Sequence, residues 1–121
     1  MRRHNFKKLQ IWIEAMDLID ENYLLTSELP DYEKFGLRTQ MNRSSVSIAS
    51  NISEGSSKRT NKHFVKYLDD SLGSACEWET QLNVCFRQNF ISEDKFQDLE
   101  KKVQKLQSKI SNFIDSLDMN E

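Results

Sequence analysis

Glycine and proline are scarce in this chain: Gly36, Gly55, Gly73 and Pro30 are the only four among 121 residues. Architectures built from many tight β-turns need far more of both, because Gly and Pro supply the backbone angles such turns demand. No low-complexity tract, no linker and no useful strand-like alternation occurs either. Long apolar runs are missing too. The charged, amphipathic start resembles neither a secretory leader nor a membrane span, so the expected location is the cytoplasm and no membrane contact is expected. Cys76 and Cys85 are the only cysteines. On a helix their spacing places them half a turn out of phase and roughly 13 Å apart, too far to bridge, so they read as buried free thiols. His4 and His63 are the only histidines, and neither has ligand-like neighbours. There is no HExxH, no cysteine pair at metal spacing, no Gly-rich phosphate loop and no nucleophile elbow. The chain is therefore expected not to be an enzyme and to carry no cofactor or metal.

What is present is helical periodicity. The length fits a single domain over residues 1–121, with an ordered core over about 6–117. Four stretches carry apolar residues at intervals of three and four. The first runs from Phe6 to Ser27, with Leu9, Trp12, Met16, Ile19 and Tyr23 on one face. The second runs from Tyr32 or Glu33 to Glu54, with Leu37, Met41, Ile48 and Ile52, and Gly55 reads as its terminator. The third runs from Asn61 to Asn89 through Phe64, Leu68, Ala75, Trp78, Leu82 and Cys85; Gly73 inside it implies a closely packed neighbour. The fourth is capped by Ser92 and runs to Leu117. Short joints between four such stretches predict an all-α fold, an antiparallel up-and-down four-helix bundle. Its expected core holds Trp12, Ile48, Phe64, Trp78, Val103 and Ile110. The serine-rich second helix predicts close packing, with hydroxyls bonded back to carbonyls.

The first helix has a second apolar line. Ile11, Leu18 and Leu25 repeat every seven positions on the side away from Trp12, Met16 and Tyr23, which reads as a seam for self-association. Arg38, Arg43, Asn51, Glu54 and Glu77 are candidate structural polar residues. Glu54 and Glu77 sit at the margins of apolar stripes, where Arg38 or Arg43 can pair with them.

The formal net charge is only −2, yet the charges are segregated. Seven acids and no base lie between Glu14 and Glu33. Between Lys34 and Lys66 there are seven bases against the single acid Glu54. Lys58, Arg59, Lys62 and Lys66 gather at the turn between the second and third helices, forming a candidate contact for nucleic-acid phosphates.

Several residues together carry a resemblance. They are Leu9-x-x-Trp12, Leu37-Arg38-x-Gln40, Arg43-x-x-x-Ser47-Ile48-x-x-Asn51-Ile52-x-Glu54-Gly55, Gly73-Ser74 and Glu77-x-Glu79-Thr80. In that order they resemble the four-helix-bundle proteins encoded in intervening sequences of bacterial 23S ribosomal RNA genes. Ser44, Ser45 and Ser53 stand where that family often has alanine, and Leu72 where it often has a base. The resemblance implies an antiparallel bundle that assembles into a homopentamer. It extends in fold to accessory proteins of diversity-generating retroelements, basic pentamers that bind nucleic acid and a reverse transcriptase. Two functions stay open on the sequence. One is an oligomeric bundle that binds structured RNA or other nucleic acid through the basic turn. The other is an interaction scaffold whose charged segments pair between subunits or meet another protein.

Overall fold

The computed structural model describes residues 4–121; Met1, Arg2 and Arg3 lie outside the described residues. Among the described residues there are four α-helices, α1 (Gln10–Ser27), α2 (Leu37–Ser56), α3 (Asn61–Arg87) and α4 (Glu93–Ser116). Two 3₁₀ turns, Phe6–Lys8 and Asp31–Glu33, precede α1 and α2. Each helix packs on the next, and α4 closes back on α1. The joints are short, so successive helices run antiparallel, as the periodicity predicts.

The ends have local causes. Leu9 is extended, with ψ of 126°, which separates the first 3₁₀ turn from α1 and shortens the expected first helix. Residues 30–36 form the second 3₁₀ turn and its exit, so α2 starts at Leu37, later than predicted. Thr60 and Ser92 cap α3 and α4, their hydroxyls accepting the His63 and Lys95 backbone N–H groups. The third helix stops two residues short of its expected end because Asn89 takes a φ of 63°. The Phe90 N–H then returns to the Cys85 carbonyl at 2.9 Å, which satisfies a carbonyl of the last turn.

Ile48, Phe64, Trp78, Val103 and Ile110 are buried as expected, whereas Trp12 is half-buried at the core's edge. The larger correction concerns α1. Ile11, Leu18 and Leu25 face the bundle's own interior, at 3–4% exposure, together with Ala15, Asn22 and Thr26. They are not a free seam. Met16 and Tyr23 point outward instead, as do Ile13 and Leu24. The helix is rotated by about a third of a turn from the orientation that its large side chains imply.

The α2–α3 pair is held together by small residues. Ser44 Oγ donates to Gln81 Oε1 at 2.7 Å, Ser71 Oγ to the Ile48 carbonyl at 2.8 Å, and Ser74 Oγ to Ser47 Oγ at 2.9 Å. Ser45, Ser53 and Ser56 bond back to carbonyls three residues earlier, as the sequence predicts. Gly55 does not terminate α2; it lies inside the last turn. Its role is space, since a Cβ there would lie 2.7 Å from Tyr67 Cβ and 2.8 Å from Phe64 Cδ1. Ala gains up to about 1 kcal/mol of helix propensity over Gly, but overpacking costs roughly 1–3 kcal/mol. Gly55→Ala is therefore expected to lower the melting temperature by several degrees, measured by circular dichroism. An unchanged or higher value would mean that the helix ends separate without cost. Gly73, by contrast, has nothing within 4 Å of its would-be Cβ, so the close neighbour expected there is absent among the described residues.

Candidate functional site

All four helices contribute an end to the pole of the bundle where α2 turns into α3. The His4 ring lies 5.1 Å from Phe64, at the start of α3, and the Phe64 ring lies 5.6 Å from Phe113, near the end of α4. These contacts bring the chain's first described residues and the last turns of α4 to the pole that carries the basic turn. Arg59, Lys62 and Lys66 are exposed there, Lys62 and Lys66 one helical turn apart on α3. Lys58 is partly buried, its Nζ 5.0 Å from the centre of the Tyr67 ring. Antiparallel packing adds two bases that the linear reading missed, Lys7 and Lys8, both exposed on the 3₁₀ turn before α1. They are 51 and 50 residues from Lys58 in sequence, so only the topology could reveal them.

The chain's C-terminal segment crosses the same pole. The Asn61 backbone N–H donates to the Glu121 carbonyl at 2.9 Å, and Asn61 Nδ2 donates to the Asp118 carbonyl at 2.8 Å. Asn61 is the first residue of α3, so its N–H is one that the helix itself cannot satisfy.

Between α1 and α4 several charges are matched within the bundle. Glu21 of α1 accepts from Lys95 at 3.1 Å and Lys102 at 3.0 Å, and Lys109 donates to Glu14 at 2.5 Å. The hydrogen bonds from Lys102 and Lys95 hold the Glu21 carboxyl below its ordinary range. At Glu14 partial burial pushes upward, but the bonds from Lys109 and Gln10 outweigh it, and the net direction is also down. Lys102, bonded to Glu21 and then Asp98, is shifted up. Glu14, Glu21 and Lys102, with Leu18 and Leu24, line a shallow groove of about 470 Å³ between α1 and α4.

The candidate structural polar residues divide. Arg43 pairs with Glu77 at 2.6 Å, tying α2 to α3. Arg38 pairs with neither Glu54 nor Glu77; its Nη2 donates to the Leu29 carbonyl at 3.0 Å and holds the α1–α2 joint. Glu54 is exposed and makes no ion pair among the described residues. Asn51 Nδ2 donates to the Ser47 carbonyl at 3.0 Å. A polar group that the sequence reading did not single out sits deeper. Trp78 Nε1 donates to Asn22 Oδ1 at 2.9 Å, while Asn22 Nδ2 (2.8 Å) and Thr26 Oγ1 (2.9 Å) both donate to Asn42 Oδ1.

Cys85 is buried, and desolvation, with the nearby Glu33 charge, pushes its thiol up to about 11. Cys76 is exposed, contrary to the expectation of two buried thiols. Among the described residues no three His, Cys, Asp or Glu side chains gather in a metal-like cluster. No helix among them is long and apolar enough to cross a membrane.

The architecture has a known counterpart. A crystal structure of a protein of unknown function from the S23 ribosomal protein family of Bacteroides thetaiotaomicron superposes with a TM-score of 0.80 at 21% identity, covering 86% of this chain and 97% of that one. At that identity the likeness establishes the fold. No curated protein matches the chain. The model of the 23S rRNA-intervening sequence protein family matches residues 7–112, nearly the whole bundle, and the chain belongs to that family.

Proposed function

We propose that the protein is a non-catalytic, self-associating bundle that holds duplex or folded nucleic acid by its phosphates, through the pole carrying Lys58, Arg59, Lys62 and Lys66. One contrast carries this reading. Lys95, Lys102 and Lys109 of α4 are neutralised by acids of α1, whereas the four bases of the α2–α3 turn have no ion pair among the described residues. Lys7 and Lys8 enlarge the patch. Aromatic placement favours duplex over single strands. Single-strand binders stack bases on exposed rings, but here Phe64 is buried and Tyr67 lies under Lys58. The most exposed rings, Tyr32 and Phe35, belong to the α1–α2 joint at the other pole.

Self-association is assigned to the outward face of α1. Ile13, Met16, Tyr23 and Leu24 are exposed there beside Asp17 and Asp20, and four such side chains grouped on one face form an apolar patch. Five subunits is the number that the family resemblance implies. A ring would repeat the basic pole in every subunit and turn weak contacts into avidity. The competing reading, in which charged segments pair between subunits, loses Glu14 and Glu21, which are engaged within their own bundle.

The test is fluorescence anisotropy with a labelled RNA duplex and a DNA duplex across a salt series. The parent is compared with a variant carrying Lys58→Glu, Arg59→Glu, Lys62→Glu and Lys66→Glu. The salt slope falls by about 0.9 for every phosphate no longer neutralised, so the variant should bind at least roughly 100-fold more weakly at 100 mM salt, with a flatter slope. Equal affinities from an intact assembly would remove the patch. Dissociation of the variant into monomers, seen by sedimentation, would assign these bases to a subunit interface and favour the scaffold.

A further inference from the structure

We infer that the pole opposite the basic turn docks a basic peptide segment of another protein, gripped by the rings of Tyr32 and Phe35. The inference is independent of the nucleic-acid reading and adds a second partner at the other end of the bundle. Tyr32 is 77% and Phe35 89% exposed, more than any other large apolar side chain among the described residues. They stand three apart, in and just after the 3₁₀ turn Asp31–Glu33, where that spacing brings side chains to one side. The Tyr32 ring lies 6.2 Å from Phe90, so the α3–α4 joint extends the aromatic surface. The joint that carries the two rings is fixed. Leu29 and Leu37 are buried on either side of it. Arg38 Nη2 donates to the Leu29 carbonyl at 3.0 Å, the Leu37 N–H to Glu33 Oε1 at 3.0 Å, and Thr39 Oγ1 to the Lys34 carbonyl at 2.8 Å. Gly36 leaves room for this frame, since a Cβ there would lie 2.8 Å from Glu33 Oε1. Rings on such a frame lose little freedom when a partner covers them, and aromatic anchors carry much of the energy of protein interfaces.

The charges around the rings select the partner. Glu28, Asp31 and Asp94 are exposed and make no ion pair among the described residues. Glu28 is the C-cap of α1, the end of a helix where an acid is disfavoured, and the last turn of α1 holds no base. A cation brought by a partner relieves that arrangement. The nearby bases are partly engaged. Lys34 Nζ lies 5.5 Å from the centre of the Phe35 ring, Arg38 bonds to the Leu29 carbonyl, and Lys95 pairs with Glu21. Lys34 displays the chemistry that the site offers, a cation over an aromatic face. A partner's Arg or Lys finds that chemistry on both rings, with the acids beside it. A single nucleic-acid strand would also stack on exposed rings, but it needs a basic track. With Lys95 held by Glu21, the acids Glu28, Asp31, Glu33, Glu93 and Asp94 outnumber Lys34, Arg38 and Arg87 here. The balance favours a basic peptide.

The experiment selects random dodecapeptides displayed on phage against the full chain, with counter-selection on a Tyr32→Ser, Phe35→Ser variant. Both side chains are exposed, so the variant should keep the parent's helicity. Should it lose helicity, Phe35→Ala alone takes its place. The selected peptides are expected to be rich in Arg and Lys, with an apolar residue among them. A labelled synthetic peptide of the consensus sequence is then followed by anisotropy at 100 mM salt. The ring variant should bind it roughly tenfold more weakly than the parent. A Glu28→Gln, Asp31→Asn variant should bind it roughly threefold more weakly, with the gap shrinking as salt rises. The ring variant should still bind an RNA duplex as the parent does, whether or not that binding proves strong. No enrichment over the ring variant, a consensus without excess basic residues, or equal peptide affinity for parent and ring variant would overturn the docking site. So would binding of a labelled oligothymidine strand by the parent that the ring variant loses, which would assign the rings to nucleic acid. A shift of the ring variant toward monomer in sedimentation would overturn it too, by placing the rings between subunits.

Discussion

Leu18→Asp is expected to destabilise the bundle by at least about 3 kcal/mol, while Leu24→Asp on the same helix leaves the melting curve of the isolated subunit nearly unchanged. Leu18 is 3% exposed and belongs to the continuous core, whereas Leu24 is 66% exposed. Removing a buried Leu side chain costs roughly 2–5 kcal/mol before the charge is counted, and an unpaired buried carboxylate adds several more unless it is protonated. Asp is the right probe. Lys has four methylenes and could carry its ammonium out into the α1–α4 groove, toward Glu14 and Glu21, which would mask the cost. Leu24→Asp has a different expected readout. It places a charge in the outward face beside Asp17 and Asp20, so under the proposed self-association through that face sedimentation should show a shift toward monomer. Urea denaturation at fixed protein concentration, with helicity as the signal, separates the two effects. If Leu18→Asp melted with the parent and Leu24→Asp unfolded, α1 would be turned the other way, with Ile11, Leu18 and Leu25 on its outer face.

The rotation of α1 shows where periodicity stops being sufficient. Both of its apolar lines recur at helical spacing, so period alone cannot choose between them. The line of Leu9, Trp12, Met16, Ile19 and Tyr23 has the larger side chains and looks like the core. The true inner line has Ala15, Asn22 and Thr26 among its Ile and Leu residues, and the two polar ones lower its apparent hydrophobicity. The discriminating signal lay in the charges. Asp17 and Asp20 fall between Met16 and Tyr23 on the outer side, while no ionisable residue interrupts the inner line from Ile11 to Thr26. On α2, α3 and α4 the main apolar stripe is the buried one, and there the sequence and the structure agree on Ile48, Phe64, Trp78, Val103 and Ile110. The basic turn was equally legible, because its four bases are neighbours in sequence. Lys7, Lys8 and the Asn61 clasp on the C-terminal segment were not. They depend on which ends meet, and no local pattern encodes that.

Asn22→Ala is expected to cost about 2–4 kcal/mol, well above the usual value for a polar residue, because Asn22 connects three helices. Its carbonyl oxygen is the acceptor for Trp78 Nε1, and its amide donates to Asn42 Oδ1, which also accepts from Thr26 Oγ1. Asn22, Thr26 and Trp78 are each at most 1% exposed. Truncation at Asn22 therefore leaves an indole N–H without its acceptor in a site closed to water, at roughly 1–3 kcal/mol, and opens a small cavity beside it. Asn42→Ala should cost less, since it strands one amide and one hydroxyl that have alternative partners along α1. The informative quantity is the coupling. Once Asn22 is gone, Asn42 has already lost its main donor, so the double variant should be more stable than the sum of the two losses by about 1 kcal/mol or more. Thermal and urea unfolding of the four proteins at one concentration supplies the cycle. Strict additivity, or a loss at Asn22 below about 1 kcal/mol, would mean that the three helices are set by apolar packing alone, with the asparagine pair merely accommodated. Coupling of the expected size would explain why α1 keeps polar residues on its inner face. They fix the rotation of α1 against α2 and α3, and so decide which apolar line is left outside.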